Sequence, residues 1–186
     1  MTSNRRRIVL TVAALAMLGL AARPVHAASG SKISANARGA LTKLYASNPS
    51  AKILGEKAKA ILVFPSILKA GFIFGGQGGD GAMTKGGKVV GYYRTLAASY
   101  GFQAGVQEFG YALFFMNDSS LSYLSASKGW EIGSGPSLVI VDEGFAKTLS
   151  TTTLTQDVYA YIFDQKGLMA GIGIQGSKIT RIHPRR

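Results

Sequence analysis

The chain has 186 residues, of which 24 are glycine and none is cysteine, with 21 lysines and arginines against 9 aspartates and glutamates. That length suits one domain around one core, and 47% apolar residues exclude disorder of the whole chain. The lack of cysteine excludes disulfides, thiolate metal sites and a lipoprotein anchor.

The chain opens with a basic segment, Arg5-Arg6-Arg7, followed by an apolar run from Ile8 to Ala22. That run is shorter than the roughly 20 residues a spanning helix needs. Val25-His26-Ala27 ends in a small residue suited to signal peptidase. Residues 1–27 are therefore expected to be a signal peptide of the Sec or twin-arginine type, since Arg5-Arg6-Arg7-Ile8-Val9 fits a loose twin-arginine pattern. Residues 28–186 then form a single domain of an exported protein, periplasmic or envelope-associated. Loss of the four arginines in 1–27 leaves 17 basic against 9 acidic residues, a net charge of +8. Such an excess favours anionic partners. For an exported protein this means a phospholipid surface, with no nucleic acid.

Ser31 to Ala46 has helical spacing at Ile33, Ala37, Ala40, Leu41 and Leu44. Asn48-Pro49 breaks it, and Ser50 is placed to cap a second helix. Leu54, Ala58, Ile61 and Leu62 make the apolar face of that helix; Lys52, Glu56 and Lys59 lie opposite, with Lys57 at the edge. Pro65 ends this helix or a short strand after it.

Beyond Pro65, short apolar runs alternate with glycine and polar turns. The runs predict strands at 71–77, 89–93, 99–107, 112–116, 120–125, 137–141, 158–163, 169–175 and 178–183. Asp80-Gly81, Lys85-Gly86-Gly87-Lys88 and Asn117-Asp118 read as turns. Phe145 to Leu149 reads as a short helical turn. No strand alternates with a long helix, which disfavours a parallel doubly wound sheet. The expected fold class is α+β, with two N-terminal helices packed on an antiparallel, glycine-rich β-sandwich or barrel.

Gly76, Gly78 and Gly81 form a G-x-G-x-x-G match. A dinucleotide fingerprint needs a helix directly afterwards, because its N-terminus holds the pyrophosphate. Here Lys85-Gly86-Gly87-Lys88 and Val89-Val90 follow, which is hairpin chemistry. The glycines also recur four apart, at Gly71 and Gly75, Gly101 and Gly105, and Gly167 and Gly171. On a strand such pairs share a face, so they read as bare stripes for close packing.

No catalytic constellation stands out. His183 is the one histidine after residue 27, and Gly133-Ser134-Gly135-Pro136 is not a nucleophile elbow. Asp142-Glu143 reads as a solvated turn, while Asp118, Asp157 and Asp164 are scattered. The expectation is a protein that is not an enzyme and takes no cofactor or metal.

Several stretches resemble the SYLF domain, also known as the actin-binding domain of a yeast actin-patch protein. They are Ala58-Lys59-Ala60-Ile61-Leu62-Val63-Phe64-Pro65, Lys69-Ala70-Gly71, Gly75-Gly76-Gln77-Gly78-Gly79-Asp80-Gly81 and Tyr100-Gly101-Phe102-Gln103-Ala104-Gly105. Gly135-Pro136, Val158-Tyr159-Ala160-Tyr161 and Lys166-Gly167-Leu168-Met169-Ala170-Gly171 continue the match in order. The resemblance implies lipid binding, in eukaryotic members of phosphoinositides and for some of actin, and in bacterial members an exported or envelope setting. It brings no catalytic residues.

The expected site is a patch for anionic phospholipid headgroups at Lys52, Lys57, Lys59 and Lys69. Phe64, Phe72 and Phe74 either insert, line a groove or belong to the core. The alternative is a structural or assembly module that binds another envelope protein. The first prediction concerns export: N-terminal sequencing of the envelope-associated protein should find Ala28 or a close neighbour first, and a start at Met1 or Arg5 would overturn cleavage.

Overall fold

A computed structural model describes residues 28–71, 74–100, 105–126, 128–141, 154–167 and 173–185. Residues 1–27, Phe72, Gly101, Asp142-Glu143, the turn predicted at 145–149 and Gly171 lie outside the described residues.

Helix α1 spans Gly30–Ser47. Ser29 caps it, its side chain accepting from the Lys32 amide at 3.4 Å. Ile33, Ala37, Ala40 and Leu44 form its buried stripe. Asn48 precedes Pro49, which disfavours helical backbone at Asn48 and opens α2, Pro49–Lys57, at a position where no amide is needed. Strands β1, Ala60–Gly71, β2, Phe74–Lys85, β3, Lys88–Tyr100, and β4, Gly105–Phe115, follow. Then come α3, Asp118–Ala126, and β5, Trp130–Glu131. Strands β6, Leu138–Ile140, β7, Val158–Gly167, and β8, Lys178–Ile182, complete the described elements.

The architecture is α+β, but the expected antiparallel sandwich is corrected in two respects. All strands among the described residues belong to one sheet, in the order β5-β8-β3-β2-β1-β4-β7-β6. The sheet is mixed, since β6 pairs in parallel with β7. It also curls strongly. Five strand spacings separate β5 from β4, about 24 Å in a flat sheet. Yet the rings of Trp130 on β5 and Phe115 on β4 pack edge to face with centroids 5.9 Å apart. The sheet closes over its own inner face like a half-barrel.

Each face therefore has its own core. On the inner face Leu62, Phe64, Ile67, Phe109, Tyr111, Leu113 and Phe115 meet Trp130 and Ile179. On the outer face Val63, Ala82, Ala112, Phe114, Tyr159 and Tyr161 meet the apolar sides of α1 and α2. Burial on both faces explains why Ala60 to Phe64 is an unbroken apolar run. It also corrects the second helix: Ile61 and Leu62 belong to β1, and the helix ends at Lys57.

Besides a register shift in β3 between Val89 and Gly91, two bulges flank β4. In β1, Phe64 pairs with Tyr111 but Ile67 with Phe109, so β1 carries one extra residue around Pro65. Proline lacks a ladder amide, and a bulge is where a strand tolerates it. In β7, Gly110 pairs with Phe163 but Glu108 with Lys166, and the extra segment holds Asp164 at φ 52°. Both bulges face the same level of β4.

Three local readings change. Residues 120–125 are helical, because the Asn117 side chain accepts from the Ser120 amide at 2.9 Å and Leu124 then points into the inner core. Asp80-Gly81 lies within β2, where Gly81 allows β1 to approach closely. An added Cβ there would stand 2.5 Å from the Val63 carbonyl oxygen. Gly71 and Gly75 do not share one strand; they face each other across β1 and β2. The turn at Lys85-Gly86-Gly87-Lys88 is present, with positive φ of 56° and 75° at the two glycines, as a primed hairpin turn requires.

One carboxylate ties the α3 end to the β6–β7 pair. Asp157 accepts from the Ser137 amide at 2.8 Å, the Ser137 hydroxyl at 2.9 Å and the Asn117 amide at 2.6 Å. These bonds, led by the Ser137 amide, hold its pKa below the usual carboxylate range.

Two predictions follow from this packing. Gly81→Ala should lower stability by about 1–3 kcal/mol through overpacking, whereas Gly86→Asn, at an open position with positive φ, should change it by less than about 0.5 kcal/mol. Denaturant melts of both variants check this, and equal stabilities would show that β1 and β2 are not in close contact. Asp157 stabilises the fold in its ionised form, so its contribution is full above the unfolded carboxyl pKa of about 4 and fades as pH falls through the lower folded value. Asp157→Asn should be the less stable protein at pH 7, and the gap to wild type should shrink by pH 3; a gap that widens in acid contradicts the assigned bonds.

Candidate binding surface

The outer face of the sheet changes character along its strands. Near the β2–β3 turn it is covered by α1, where Ser34 and Tyr92 hydrogen-bond through their hydroxyls at 3.0 Å. One row further, Arg94 holds Asp80 with two bonds of 2.6 and 2.9 Å, and this pairing raises the guanidinium pKa. Past that ion pair the described helices end and the face turns apolar. Leu68 is 56% exposed, Leu96 55%, Val106 58% and Phe74 75%. These are four of the eight exposed large apolar residues among the described residues.

Strand register makes them one patch. Leu68 lies opposite Gly78, and Gly78 opposite Leu96. Leu96 folds onto the bare backbone at Gly78, where a Cβ would come 2.7 Å from its Cδ2. Ala70, opposite Val106 and Gly76, extends the surface toward Phe74. Residues of opposite charge flank it at both sides: Lys178 in register with Glu131 beyond Leu96, and Glu108 in register with Lys166 beyond Leu68. The Ser66 hydroxyl fixes Glu108 at 2.7 Å. An apolar centre with a charged rim is the usual make-up of a contact surface.

The residues expected from sequence divide among three places. Lys52 and Lys59 are exposed and Lys57 half-buried, on α2 and the link to β1. Lys69 stands ten residues along β1 from Lys59, about 30 Å away at strand rise, and is only 8% exposed on the inner face. It does not join the other three lysines. Phe64 is fully buried with its ring 4.7 Å from that of Tyr111, so it is core. Phe74 is exposed, and the structure groups it with Leu68, Leu96 and Val106, none of which sequence reading singled out. The signal for them was the alternation around Leu68-Lys69-Ala70 and Val106-Gln107, legible once the register and the helix cover are known.

A groove of about 350 Å³ does run beside α1, but Asn36, Lys43, Ser66 and Asp164 are among its walls, which suits no acyl chain. No helix among the described residues is long and apolar enough to cross a membrane. Nor does any cluster of three histidines, aspartates or glutamates there suit a metal ion.

These features define an α+β domain with a curled sheet and an open apolar contact face. Residues 96–183, from the end of β3 through β8, match the family model Ysc84, described as Las17-binding protein actin regulator. Over that region the sequence is similar to this family, also called SYLF. It matches no curated protein.

Proposed function

We propose that this chain is a non-enzymatic, exported lipid-binding module of the bacterial envelope that docks on anionic phospholipid. The observation that carries the reading is the clustering of Leu68, Leu96, Val106 and Phe74 at more than half exposure on one sheet face that none of the described helices covers. Burying such side chains in the interfacial zone of a bilayer is worth about 25 cal/mol per Å² of apolar area. Lys166 and Lys178 border the face, and Lys52, Lys57 and Lys59 add charge on the same outer side of the sheet. Each lysine near an anionic surface contributes about 1 kcal/mol. The net positive charge of the chain acts in the same direction.

The family description, an actin regulator that binds another protein, supports a second reading in which the partner is a protein of the envelope. The balanced Glu108–Lys166 and Glu131–Lys178 rim favours it, since paired charges suit a protein surface better than a uniformly anionic one.

Vesicle flotation separates the two. The chain from Ala28 onward should float with phosphatidylcholine vesicles that contain anionic lipid and not with phosphatidylcholine alone. Raising salt from 0.1 M to 1 M shortens the Debye length from about 10 Å to about 3 Å and should weaken binding. Leu68→Ser with Phe74→Ser should reduce flotation at least tenfold, and Lys52, Lys57 and Lys59 changed together to Glu should reduce it further. A folded Leu68→Ser, Phe74→Ser protein that floats like wild type removes the apolar face from the membrane contact. Failure of wild type to float at all leaves the protein-partner reading.

A further inference from the structure

The two bulges beside β4 open onto α1. The extra residue of β1 falls around Pro65 and that of β7 at Asp164. The groove of about 350 Å³ beside α1 has Asn36, Gly39, Lys43, Ser66 and Asp164 among its walls. Asn36, Gly39 and Lys43 follow one another at three and four residues, so they share one side of the helix and meet the groove together.

Three features of this groove have no account in stability. Asp164, at φ 52°, is the one non-glycine residue with positive φ among the described residues. Backbone strain of this kind is kept where the surroundings need a side chain aimed in one direction. Gly39 stands inside a helix, where glycine is unfavourable, yet an added Cβ there would meet nothing within 4 Å. Its missing side chain leaves open space and serves no close packing. The third feature is charge. Lys43 and Asp164 wall the same groove, but neither forms an ion pair with the other or with any other side chain. The Asn36 amide is likewise unbonded, and the Ser66 hydroxyl, donating to Glu108 at 2.7 Å, keeps its oxygen as an acceptor.

We infer that this groove binds a free α-amino acid, with the ligand ammonium on the Asp164 carboxylate and the ligand carboxylate on the Lys43 ammonium. Two opposite charges held apart across one groove select a ligand that carries both signs on neighbouring atoms. A simple anion or cation would satisfy one wall and be repelled by the other. Charge-assisted hydrogen bonds at both ends are the strong kind. The volume lies at the lower end of the roughly 300–1,000 Å³ usual for small-molecule sites, which suits one amino acid and not a peptide. Asn36 and Ser66 remain for the ligand side chain. The site is separate from the apolar face, since Leu68, Phe74, Leu96 and Val106 are not among its walls.

The test titrates the full chain with L-alanine, L-glutamine, L-glutamate and L-lysine, and with the Nα-acetyl and amide derivatives of each one that binds. The free amino acid should bind at least tenfold more tightly than either derivative, because each block removes one charge-assisted bond. Asp164→Asn keeps a residue suited to left-handed backbone and should bring the free amino acid down to the level of its Nα-acetyl form. Lys43→Met should bring it down to the level of its amide. Absence of binding by all four amino acids at millimolar concentration overturns the site. Affinity undiminished by acetylation or amidation overturns it as well, since the two charges would then not be the contacts. So does full affinity in a folded Asp164→Asn or Lys43→Met protein. Where a variant fails to fold, the blocked ligands alone decide.

Discussion

The extra residue around Pro65 governs both faces of this molecule. Side chains on a strand alternate with period two, so one inserted residue reverses the facing of everything after it. Val63 faces the helices and Phe64 the inner core. Without the bulge, Leu68 would point inward and Lys69 outward. With it, Ile67 returns to the inner core, Leu68 is exposed and Lys69 is buried. The bulge at Asp164 in β7 lies across β4 at the same level, so β4 is flanked by bulges on both sides there. Bulges increase local bend and twist. A pair of them along one line is a physical source of the curl that brings Trp130 to Phe115.

That constraint explains what was legible in the sequence and what was not. The α1 stripe, the Gly86-Gly87 turn and the strand character of 89–93, 137–141, 158–163 and 178–183 depend on local spacing and turn chemistry, and all can be read directly. The end of α2 cannot, because Leu54-Gly55-Glu56-Lys57-Ala58-Lys59-Ala60-Ile61-Leu62 satisfies a helical period while Ile61 and Leu62 are claimed by a strand buried on both sides. Residues 120–125 read as a strand by composition, and the Asn117 cap decides otherwise. For the site, the lysines of α2 were visible as a basic run. Lys69 reads as part of the same patch because a bulge at proline leaves no mark on the alternation of Leu68-Lys69-Ala70 itself. The exposed apolar patch was out of reach for a different reason: the sheet order sets Leu96 beside Leu68, with Gly78 between them, and no local pattern encodes that order.

The glycines, too, take their meaning from register. As a motif, Gly76, Gly78 and Gly81 suggest a phosphate loop; in the sheet they lie on β2 between β1 and β3. Gly78 receives the Leu96 side chain, and Gly81 admits the Val63 carbonyl. Gly71, Gly75 and Gly105, from two different repeats of spacing, become a single row across three strands. Close approach of backbone is the common physical cause, and it acts between strands, not along one.

The apolar patch and an inward row of polar residues, Gln77, Lys69 and Gln107, are then two consequences of one placement. They occupy opposite faces of the same stretch of β1, with Leu68 and Ala70 outward and Lys69 inward. None of the described helices covers the outward side, because α1 crosses β1, β2 and β3 nearer the β2–β3 turn, and the Asp80–Arg94 pair ends the zone they cover. An ion pair with 19% and 42% side-chain exposure tolerates water where a leucine core would not. The helix layer can therefore stop there without leaving the covered core open to solvent. A sheet that is apolar outward and polar inward over the same residues inverts the usual order of a small barrel. Such an inversion has little to recommend it for stability alone, since it exposes leucines and buries Lys69 and the Gln107 amide oxygen, which accepts no hydrogen bond. It fits a domain whose exposed apolar face is carried on the strands beyond the bulge.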